Sequence, residues 1–369
     1  MATDRILHII TSLGYGNGIV NVVMNYYRNI NRDLFQFDFL YLFEEKESYK
    51  EEILELGGRV YKINPPSLKN IYSYQLNLIN FIDQYDLNYS IVHMHEPALL
   101  AMIIPAFKKK NKCKVIAHSH STAYSSHPLK ALRNKITSLP INKYTDYYAS
   151  CSQEAASFWF KRNINDTYII KNAIDCNKYS LNINVRNNIR EQLELTDNIV
   201  FGHVGRFSKE KNHDFLIDVF YKVTTHFDNA RLLLIGSGDR LESIKNKVND
   251  LGLERKVVFI GNKRNVQDYY NAMDIFLFPS LSEGFGTVVL EAQISGLKCF
   301  VSKSVNSDVA ITNNDTIFLN LEDGPDSWTQ VIINNINYQR GDRSSIAASK
   351  GYCIKSEAIN LERYYGRLL

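Results

Sequence analysis

The sequence predicts an α/β fold built from two doubly wound, Rossmann-like domains. Strand-like and helix-like segments alternate through the first half of the chain, and the same alternation returns in the second half. Most of the strand-like segments are continuous apolar runs, which is typical of parallel strands covered on both faces. At 369 residues the chain is also long for one core and long enough for two.

In the first half, apolar and β-branched runs predict strands and the segments between them predict helices. The predicted helices include Val20–Tyr27, Ile71–Gln84, Ala98–Phe107 and Ser152–Phe160. The predicted strands are Arg5–Ile10, Phe35–Leu42, Arg59–Ile63, Tyr89–His95, Cys113–Ser119 and Asp146–Ser150. This order favours a parallel sheet with helices on both faces.

A glycine-rich segment, Thr11–Gly18, follows the first strand and leads into the first helix. Gly14, Gly16 and Gly18 would let the backbone approach a ligand closely. A plain tight turn explains the same residues nearly as well. The dinucleotide fingerprint is not met, because its glycine spacing is absent and no acidic residue closes the second strand.

Histidines are concentrated at the ends of two predicted strands of the first half. His93 and His95 end one strand, and His118 and His120 end another. Strand alternation sends both members of each pair to one face, and neighbouring strands would bring His95 and His120 together with Glu96. Paired histidines also allow a zinc site, but no cysteine accompanies them as in many structural zinc sites. We therefore expect His93 and His118 to be buried and hydrogen-bonded.

Charge is distributed unevenly along the chain. Residues 100–172 contain twelve Lys and Arg against three Asp and Glu, although the whole chain carries only +4. The basic residues from Lys108 to Lys135 alternate with apolar ones such as Leu129 and Leu132, which suits an anionic membrane surface. An ordinary solvated face is the alternative. No recognition motif for nucleic acid accompanies the patch, so nucleic acid is not an expected partner.

The apolar runs, the N-terminal segment and the cysteines indicate the cellular compartment of the protein. No apolar run approaches the roughly 20 residues that span a bilayer, and the N-terminus enters a strand without a signal-peptide pattern. The five cysteines are scattered and show no metal-type spacing. We therefore expect reduced thiols in a cytoplasmic protein.

In the second half, a predicted strand at Ile199–Val204 is followed by a glycine turn with two cations. Gly205 and Arg206 open this loop and Lys211 closes it before a helix from about Asn212. At a strand-to-helix loop both cations could reach a diphosphate, although solvated surface charges are the default interpretation. The glycines after the next predicted strand, Leu232–Ile235, indicate a turn.

The segment from Asp274 to Val301 reads as strand, loop, helix and strand. Its loop would aim the amides of Gly284, Phe285, Gly286 and Thr287 at an anion, helped by the dipole of the helix Thr287–Ile294. Glu283 and Glu291 flank these amides with seven residues between them. Because carboxylates accept hydrogen bonds from sugar hydroxyls, this combination indicates a nucleotide sugar. A self-capping helix with a solvated Glu291 is the alternative.

These motifs together resemble family-4 glycosyltransferases, retaining enzymes with the GT-B fold. The resemblance is carried by EGFGTVVLE (Glu283–Glu291), by GRFSKEKN from Gly205 and by NAID from Asn172. It implies that Glu283 contacts the transferred sugar, that Glu291 holds the ribose, and that Arg206 and Lys211 neutralise the leaving diphosphate. Gly205 belongs to the same donor loop. His120 matches a family histidine that contacts the donor or acceptor sugar.

The resemblance also implies a domain layout. A GT-B protein has two Rossmann-like domains facing across a cleft, here an acceptor domain at residues 1–172 and a nucleotide-sugar domain at residues 173–352. The terminal segment 353–369 resembles the family's helix that packs back on the first domain. Gly16 and Gly18 correspond to the family's N-terminal glycine loop, and backbone near Lys263 and Arg264 to its loop around the nucleotide base.

The implied activity is transfer of a sugar from a nucleotide sugar, with a uridine-linked donor as the family-weighted expectation. No cofactor and no metal are expected, since the sequence contains no Asp-x-Asp pair. The acceptor would be a glycan or a lipid-diphosphate-linked saccharide for capsular or exopolysaccharide, used by a peripheral protein at the inner face of the membrane. A nucleotide-sugar 2-epimerase and a non-catalytic nucleotide-sugar-binding subunit are the alternatives.

Overall fold

The structure, a computed structural model, describes residues 3–15, 17–66, 70–125, 128–263, 265–283, 285–312 and 314–369. The chain forms two compact units. The first contains the chain up to Ile174 and again from Ile354 onward, and the second is Asp175–Cys353. Each unit is built on a parallel sheet flanked by helices, so the predicted α/β class with two doubly wound domains is confirmed.

The first unit has a seven-stranded sheet in the order β3-β2-β1-β4-β5-β6-β7. Its strands are β1 (Asp4–Ser12), β2 (Phe35–Phe43), β3 (Val60–Lys62), β4 (Ile91–Met94), β5 (Lys114–Ser119), β6 (Tyr147–Ser150) and β7 (Thr167–Ile169). All pairings are parallel, and His8 of β1 lies opposite His93 of β4. Parallel register therefore brings the carboxyl ends of β1, β4 and β5 to one edge of the sheet.

Helices cover both faces of this sheet. They are α1 (Gly18–Asn29), α2 (Lys50–Glu55), α3 (Ile71–Gln84), α4 (Leu100–Lys110), α5 (Pro128–Ser138), α6 (Ile141–Tyr144), α7 (Gln153–Trp159) and, after the second unit, α16 (Ile354–Leu368). One apolar core lies between β1, β2, α1 and α16, and a second lies between β4, β5, α3 and α4. In α1, Asn17 accepts the Ile19 amide as N-cap, which fixes the start of the helix directly after the glycine loop.

The second unit has a six-stranded parallel sheet in the order β10-β9-β8-β11-β12-β13. Its strands are β8 (Ile199–Val204), β9 (Ala230–Ile235), β10 (Val257–Gly261), β11 (Ile275–Phe278), β12 (Lys298–Ser302) and β13 (Thr316–Leu319). The strand order changes direction between β8 and β11. Ligands of open parallel sheets bind at such a point, outside the carboxyl ends of the strands.

The helices of the second unit are α8 (Cys176–Tyr179), α9 (Ile183–Gln192), α10 (His213–Thr224), α11 (Leu241–Asp250), α12 (Val266–Ala272), α13 (Thr287–Ile294), α14 (Gly324–Asn334) and α15 (Ser344–Ser349). Strand β11 is anchored where it begins, at Asp274. Its carboxylate accepts hydrogen bonds from Arg186 at 2.5 Å and Arg190 at 2.8 Å, and from the Val200 amide at 2.8 Å. These contacts tie α9 and β8 to the strand that leads into the loop of Glu283.

The chain on both sides of the predicted domain boundary, between residues 172 and 173, contains regular structure that was not predicted from the sequence. Residues 167–169 form the edge strand β7, and two helices, α8 and α9, follow. A three-residue strand gives no periodic pattern from which it could be recognised. The chain passes from one unit to the other between Ile174 and Asp175.

The expectation of five reduced thiols is wrong for two of them. Cys176 and Cys353 form a disulfide within the second unit, although 177 residues separate them in sequence. Cys113, Cys151 and Cys299 are buried and are not part of a disulfide. The pair could not be predicted from the sequence, because the fold brings the two ends of this unit together and the spacing of cysteines along the chain does not report that contact.

Across the part of the chain that the structure describes, no helix combines the length and the apolar character needed to cross a membrane.

Candidate functional site

In the second unit, the loop after β8 is bonded to the loop after β11. The carbonyl of Glu210 accepts hydrogen bonds from the Ser280 hydroxyl at 2.8 Å and from the Leu281 amide at 2.7 Å. The Asn212 side chain donates to the Pro279 carbonyl at 3.1 Å. These bonds join two loops that leave adjacent strands at the point where the strand order reverses, and they place Lys211 beside Glu283.

Lys211 donates a hydrogen bond to Glu283, and the two side chains form an ion pair. Both are largely buried, with 21% and 14% of their side-chain surface exposed. The Ser280 hydroxyl donates to the same carboxylate oxygen, Oε1, at 2.9 Å. Within the described ranges no hydrogen bond engages Oε2, so this oxygen remains able to accept one from a ligand. The Lys211 ammonium also lies 5.0 Å from the centre of the Phe278 ring.

The N-terminus of α13 has the features of an anion site. Gly286 is the N-cap residue with φ +82°, and a Cβ there would meet Val305 at 3.0 Å. As a glycine it offers no side chain to the amides of the first turn, which begins at Thr287. Phe285 is buried, with its ring 5.8 Å from that of Tyr352. Gly284, also predicted to belong to this cradle, lies outside the described residues.

Glu291 lies one helical turn after Thr287, on the same side of α13. Its Oε2 accepts a hydrogen bond from the Tyr270 hydroxyl at 2.8 Å. Burial raises the pKa of Glu291 to about 7, and hydrogen bonds from Tyr270 and Tyr179 and the charge of Lys178 limit that rise. A solvated Glu291, the alternative interpretation, does not fit this environment. The carboxylate is poised to ionise when hydroxyl donors arrive.

Gly205 and Arg206 occupy the loop where β8 ends. A Cβ on Gly205 would lie 2.9 Å from Nε2 of His203 and 3.4 Å from the Lys211 side chain. The glycine therefore makes room for the stem of Lys211. Arg206 is exposed to solvent. The two predicted cations therefore differ in their surroundings: Lys211 is held in place by Glu283, whereas the exposed Arg206 extends from the loop.

Gly236, which the sequence predicts only as part of a turn, lies where the loops after β8 and β9 approach most closely. A Cβ on Gly236 would lie 2.0 Å from the carbonyl oxygen of Gly205. Nearby, the Phe207 amide donates to the Ser237 carbonyl at 2.9 Å, and the Gly236 amide to the Gly261 carbonyl at 3.0 Å. The loops after β8, β9 and β10 are therefore packed backbone to backbone. A glycine directly after a buried strand was the available signal.

The base-binding loop expected near residue 263 follows β10. Lys263 is exposed, and Arg264 lies outside the described residues. Of the residues predicted for the donor site, the structure therefore gathers Lys211 and Glu283 in direct contact. It places the remaining ones, which are Gly205, Arg206, Lys263, Phe285, Gly286, Thr287 and Glu291, in the strand-end loops and on helix α13 of the second unit.

In the first unit, Gly18 is the first residue of α1 and is exposed. A Cβ on Gly18 would meet no atom within 4 Å, so packing within the protein does not demand a glycine there. Gly16 lies outside the described residues. The predicted ligand-approach role of this loop stays a prediction.

Five histidines of the first unit form a hydrogen-bonded cluster, and one of them, His8, was not predicted from the sequence. Nδ1 of His8 lies 2.9 Å from Nε2 of His95, and Nδ1 of His95 lies 2.9 Å from Nε2 of His120. In a second chain, His93 bonds His118 at 3.1 Å and the Tyr365 hydroxyl at 2.8 Å. His93 and His118 are buried and hydrogen-bonded, as expected.

All five rings are neutral at physiological pH. Burial lowers the pKa of His8 and of His120 to about 3, and it moves the pKa of His93, His95 and His118 well below the ordinary value. Two trios bring one nitrogen of each member within 4.8 Å, the spacing of possible metal ligands: His8, His93 and His95, and His95, His118 and His120. Mutual hydrogen bonds already occupy most of these nitrogens, which favours a satisfied polar cluster over a zinc site.

Comparison with known proteins identifies the family. Residues 16–178 match the family model described as Glycosyltransferase Family 4, and residues 185–339 match that described as Glycosyl transferases group 1. A Bacillus subtilis protein named glycosyltransferase EpsF is 27% identical over 334 residues, which are 89% of this chain and 86% of that protein. An Escherichia coli UDP-Gal:α-D-GlcNAc-diphosphoundecaprenol α-1,3-galactosyltransferase is 28% identical over 152 residues, 40% of this chain and 39% of that protein.

The crystal structure of Anabaena Alr3699/HepE in complex with UDP is similar over 98% of this chain and 100% of that chain, with a TM-score of 0.80 and 17% identity. At this identity the likeness establishes the fold. Together with the two parallel-sheet units, it confirms the GT-B fold expected from the motifs. The two family models together match most of the chain, and this chain belongs to the family-4 glycosyltransferases of GT-B fold.

Proposed function

We propose that this glycosyltransferase transfers a hexose from a UDP-sugar with retention of configuration and without a metal cofactor. The observation that carries the proposal is the buried Lys211–Glu283 pair beside the uncapped N-terminus of α13. A cation, helix amides and a carboxylate with a free oxygen suit a diphosphate joined to a sugar. The UDP complex of the similar Anabaena protein supports the choice of nucleotide.

In this proposal the ion pair changes partners when the donor binds. A diphosphate competes with Glu283 for Lys211 because it carries more charge in a fixed position. Glu283 is then released to accept hydrogen bonds from the sugar hydroxyls through both oxygens. Without the donor, the charges of Lys211 and Glu283 are thus paired with each other. When the donor binds, its diphosphate becomes the partner of Lys211 and its sugar hydroxyls become the partners of Glu283.

Charge that develops on the leaving diphosphate is stabilised by Lys211, by Arg206 and by the amides at the start of α13. Glu291 accepts hydrogen bonds from the ribose hydroxyls, and the backbone near Lys263 and Arg264 contacts the base. Retention follows from a front-face displacement, in which the leaving phosphate oxygen receives the acceptor proton. His120 then orients the sugars and does not act as an obligatory base.

The acceptor that we propose is a lipid-diphosphate-linked saccharide at an anionic membrane surface. Helix α5 exposes Leu129 by 75%, Leu132 by 58% and Ile136 by 53%. These side chains share one face at helical spacing, and the exposed Lys130, Arg133 and Lys135 lie between them. An exposed apolar stripe bordered by cations is typical of helices that lie in a membrane interface.

This acceptor suits polysaccharide assembly at the cytoplasmic face of a membrane. The name of the E. coli relative includes a diphosphoundecaprenol acceptor, which supports the acceptor class proposed for this chain.

The donor site is tested by calorimetric titration of the untagged protein with UDP, GDP and ADP in the presence of a chelator. We expect UDP to bind, with at least about tenfold weaker binding in Lys211→Ala, because a charge-assisted hydrogen bond to phosphate is lost. Glu291→Ala should weaken binding as well. Lys209→Ala is the matched control, since Lys209 is an exposed cation on the same turn. Absence of binding to all three nucleotides by the folded protein would contradict the donor site.

The reaction type is tested by incubating the protein with UDP-sugars, with and without a lipid-linked saccharide. Transfer predicts UDP release and a new anomeric linkage of retained configuration only when the acceptor is present. Donor isomerisation without acceptor would identify a 2-epimerase. Binding without any turnover across a panel of acceptors would favour a non-catalytic subunit.

A further inference from the structure

Three neighbouring strands of the first unit, with the residues that directly follow them, contribute one histidine each to a continuous hydrogen-bonded chain. His8 lies on β1, His95 follows β4 and His120 follows β5. The His8–His95 and His95–His120 nitrogen pairs are both 2.9 Å apart. His8 and His95 are buried, and His120 is half-buried at the open end of the chain. The chain therefore connects the interior of the sheet to the residue proposed to orient the sugars.

Every ring of this chain is neutral, so each carries one N–H. The rings that pack against His8 are those of Phe37, Phe39, His93 and His95, at centroid distances of 4.1, 5.6, 5.1 and 5.2 Å, and none of these neutral rings brings a charge. His95 and His120 are flanked by the neutral rings of His93 and His118. Burial without a counter-charge keeps all three imidazoles unprotonated.

The number of ring protons then allows two arrangements of the three tautomers. Each hydrogen bond needs one N–H and one bare nitrogen, and His95 has a single proton for its two bonds. If the His95 proton is on Nδ1, then His8 and His120 also carry their protons on Nδ1. If it is on Nε2, then both neighbours carry theirs on Nε2. The three tautomers are therefore coupled and change only together.

The inner end of the chain selects between the two arrangements. Within the described residues, Nε2 of His8 is buried and has no hydrogen-bond partner. In the all-Nε2 arrangement this atom would be an N–H donor without an acceptor. Orphaned buried N–H groups are rarer than under-satisfied acceptors. In the all-Nδ1 arrangement the same atom is a bare nitrogen, an acceptor without a donor.

We propose that His8 and His95 are positioning residues that hold His120 as its Nδ1–H tautomer, so that His120 presents a hydrogen-bond donor to the sugar substrates. This inference rests on the proposed function of His120. It makes His120 a donor to a sugar hydroxyl or phosphate oxygen, because its Nε2 accepts the bond from His95 and its Nδ1 already carries the proton. It also explains how a histidine at this position can act without serving as a base.

The tautomers are measured by long-range ¹H–¹⁵N correlation spectra of protein labelled with ¹⁵N-histidine, with His120→Gln used to assign the His120 signals. We expect wild-type His120 to be neutral and protonated on Nδ1 from pH 8 down to about 5, well below the ordinary histidine pKa near 6.5. Protonation on Nε2, or a charged ring in this range, would overturn the inference.

Two variants separate positioning from packing. His95→Phe keeps an aromatic ring but removes both hydrogen bonds, so His120 should lose its preference for Nδ1–H. His93→Phe is the control, because His93 is equally buried on the same strand and bonds Tyr365 and His118 instead. An unchanged His120 tautomer in His95→Phe would refute the coupling. Circular dichroism checks folding, and the wild-type spectrum is decisive if a variant does not fold.

Activity supplies a second readout. We expect sugar transfer to fall about tenfold in His95→Phe, a typical effect of removing a partner that orients a functional histidine. UDP affinity should be unchanged, since the residues proposed to bind UDP belong to the other unit. Failure of the wild type to bind UDP would sink the proposed function and leave the tautomer measurement intact, so the two failures are distinguishable.

Discussion

Lys211 and Glu283 are bonded to each other across 72 residues of sequence, at the ends of two neighbouring strands. Ser280 donates to the same oxygen of Glu283, and the loop that carries Lys211 is bonded to the loop that carries Glu283. Two residues with opposite charge and separate proposed roles toward the donor are thus held as one unit before any donor arrives.

The Lys211–Glu283 pair predicts opposite effects of its two members on UDP binding. In Glu283→Gln, Lys211 loses the carboxylate that competes with the diphosphate, so UDP should bind at least as tightly as in the wild type. Sugar transfer from UDP-sugar should instead fall by about a hundredfold or more, the effect of losing one electrostatic contact to a transition state. Calorimetry and a product assay measure the two effects. Weaker UDP binding in Glu283→Gln would show that this carboxylate holds the nucleotide instead of the sugar.

The raised pKa of Glu291 predicts that UDP affinity depends on pH. In the proposed donor site the ribose hydroxyls bind the ionised carboxylate of Glu291. A pKa of about 7 leaves this group mostly protonated at pH 6. Affinity should therefore be about tenfold lower at pH 6 than at pH 8. The phosphate of UDP titrates near pH 6 as well, so Glu291→Gln is the control: the part of the pH dependence that survives in this variant belongs to the nucleotide.

The same shift affects stability with the opposite sign. A carboxyl whose pKa is higher in the folded state than in the unfolded state favours folding below its unfolded pKa, near 4.3 for a glutamate. This contribution is lost as pH rises through about 7, the folded pKa of Glu291. Urea unfolding of ligand-free protein should show the wild type losing stability relative to Glu291→Gln between those two pH values. A constant difference between the two proteins would contradict the assigned environment.

Gly236 predicts a localised packing defect when it is replaced. A Cβ there would lie 2.0 Å from the Gly205 carbonyl oxygen, which neither backbone can avoid without moving. Gly236→Ala should therefore destabilise the protein by about 1–3 kcal/mol and also weaken UDP binding, because Gly205 borders Lys211. Gly252→Ala is the matched control: Gly252 has φ +65° but no atom within 4 Å of its Cβ position. Equal effects of Gly236→Ala and Gly252→Ala on UDP binding would argue that the packing between the loops after β8 and β9 does not support the UDP site.

The disulfide predicts a redox-dependent stability. Cys176 and Cys353 close a loop of 177 residues, so reduction should lower the free energy of unfolding by about 2–4 kcal/mol. Chemical denaturation with and without dithiothreitol measures this, and Cys176→Ser should reproduce the reduced wild type. Dithiothreitol should then have no further effect on Cys176→Ser. The described residues contain no other disulfide that it could reduce. Unchanged stability on reduction would show that the thiols are not linked in solution.

Helix α5 predicts binding to anionic vesicles. Replacing Leu129 and Leu132 by Ser removes apolar area from the exposed face of α5. Burial of apolar surface contributes roughly 25 cal/mol per Å². The double variant should therefore bind phosphatidylglycerol vesicles at least about tenfold more weakly. Flotation with anionic and with neutral vesicles measures this. Leu34→Ser and Leu54→Ser serve as controls, since both are exposed leucines outside the helix. Loss of binding in these controls as well would locate the membrane contact elsewhere.

Sequence pattern alone predicted much of the framework. The bounds of α3 and α13 agree with the predicted Ile71–Gln84 and Thr287–Ile294. Strand β1 extends two residues past its predicted end. These elements were readable because a buried parallel strand needs a continuous apolar run, and a packed helix needs apolar residues at its own period. The loop before α13 was equally recognisable as a strand-to-helix connection, since glycines and two carboxylates stand within one short segment, and its donor-binding role stays a prediction.

The tertiary structure decided which residues touch. Lys211 meets Glu283, Cys176 meets Cys353, and His8 joins His95 and His120, although each set is dispersed along the chain. Local pattern reports the periodicity of one element, which is a property of neighbouring residues. Partner choice depends on strand order and on how loops leave the sheet, and these are fixed only when the whole sheet assembles. For that reason His8 and Gly236 gave no more than a lone histidine and a turn glycine in sequence, and their roles became visible in the fold.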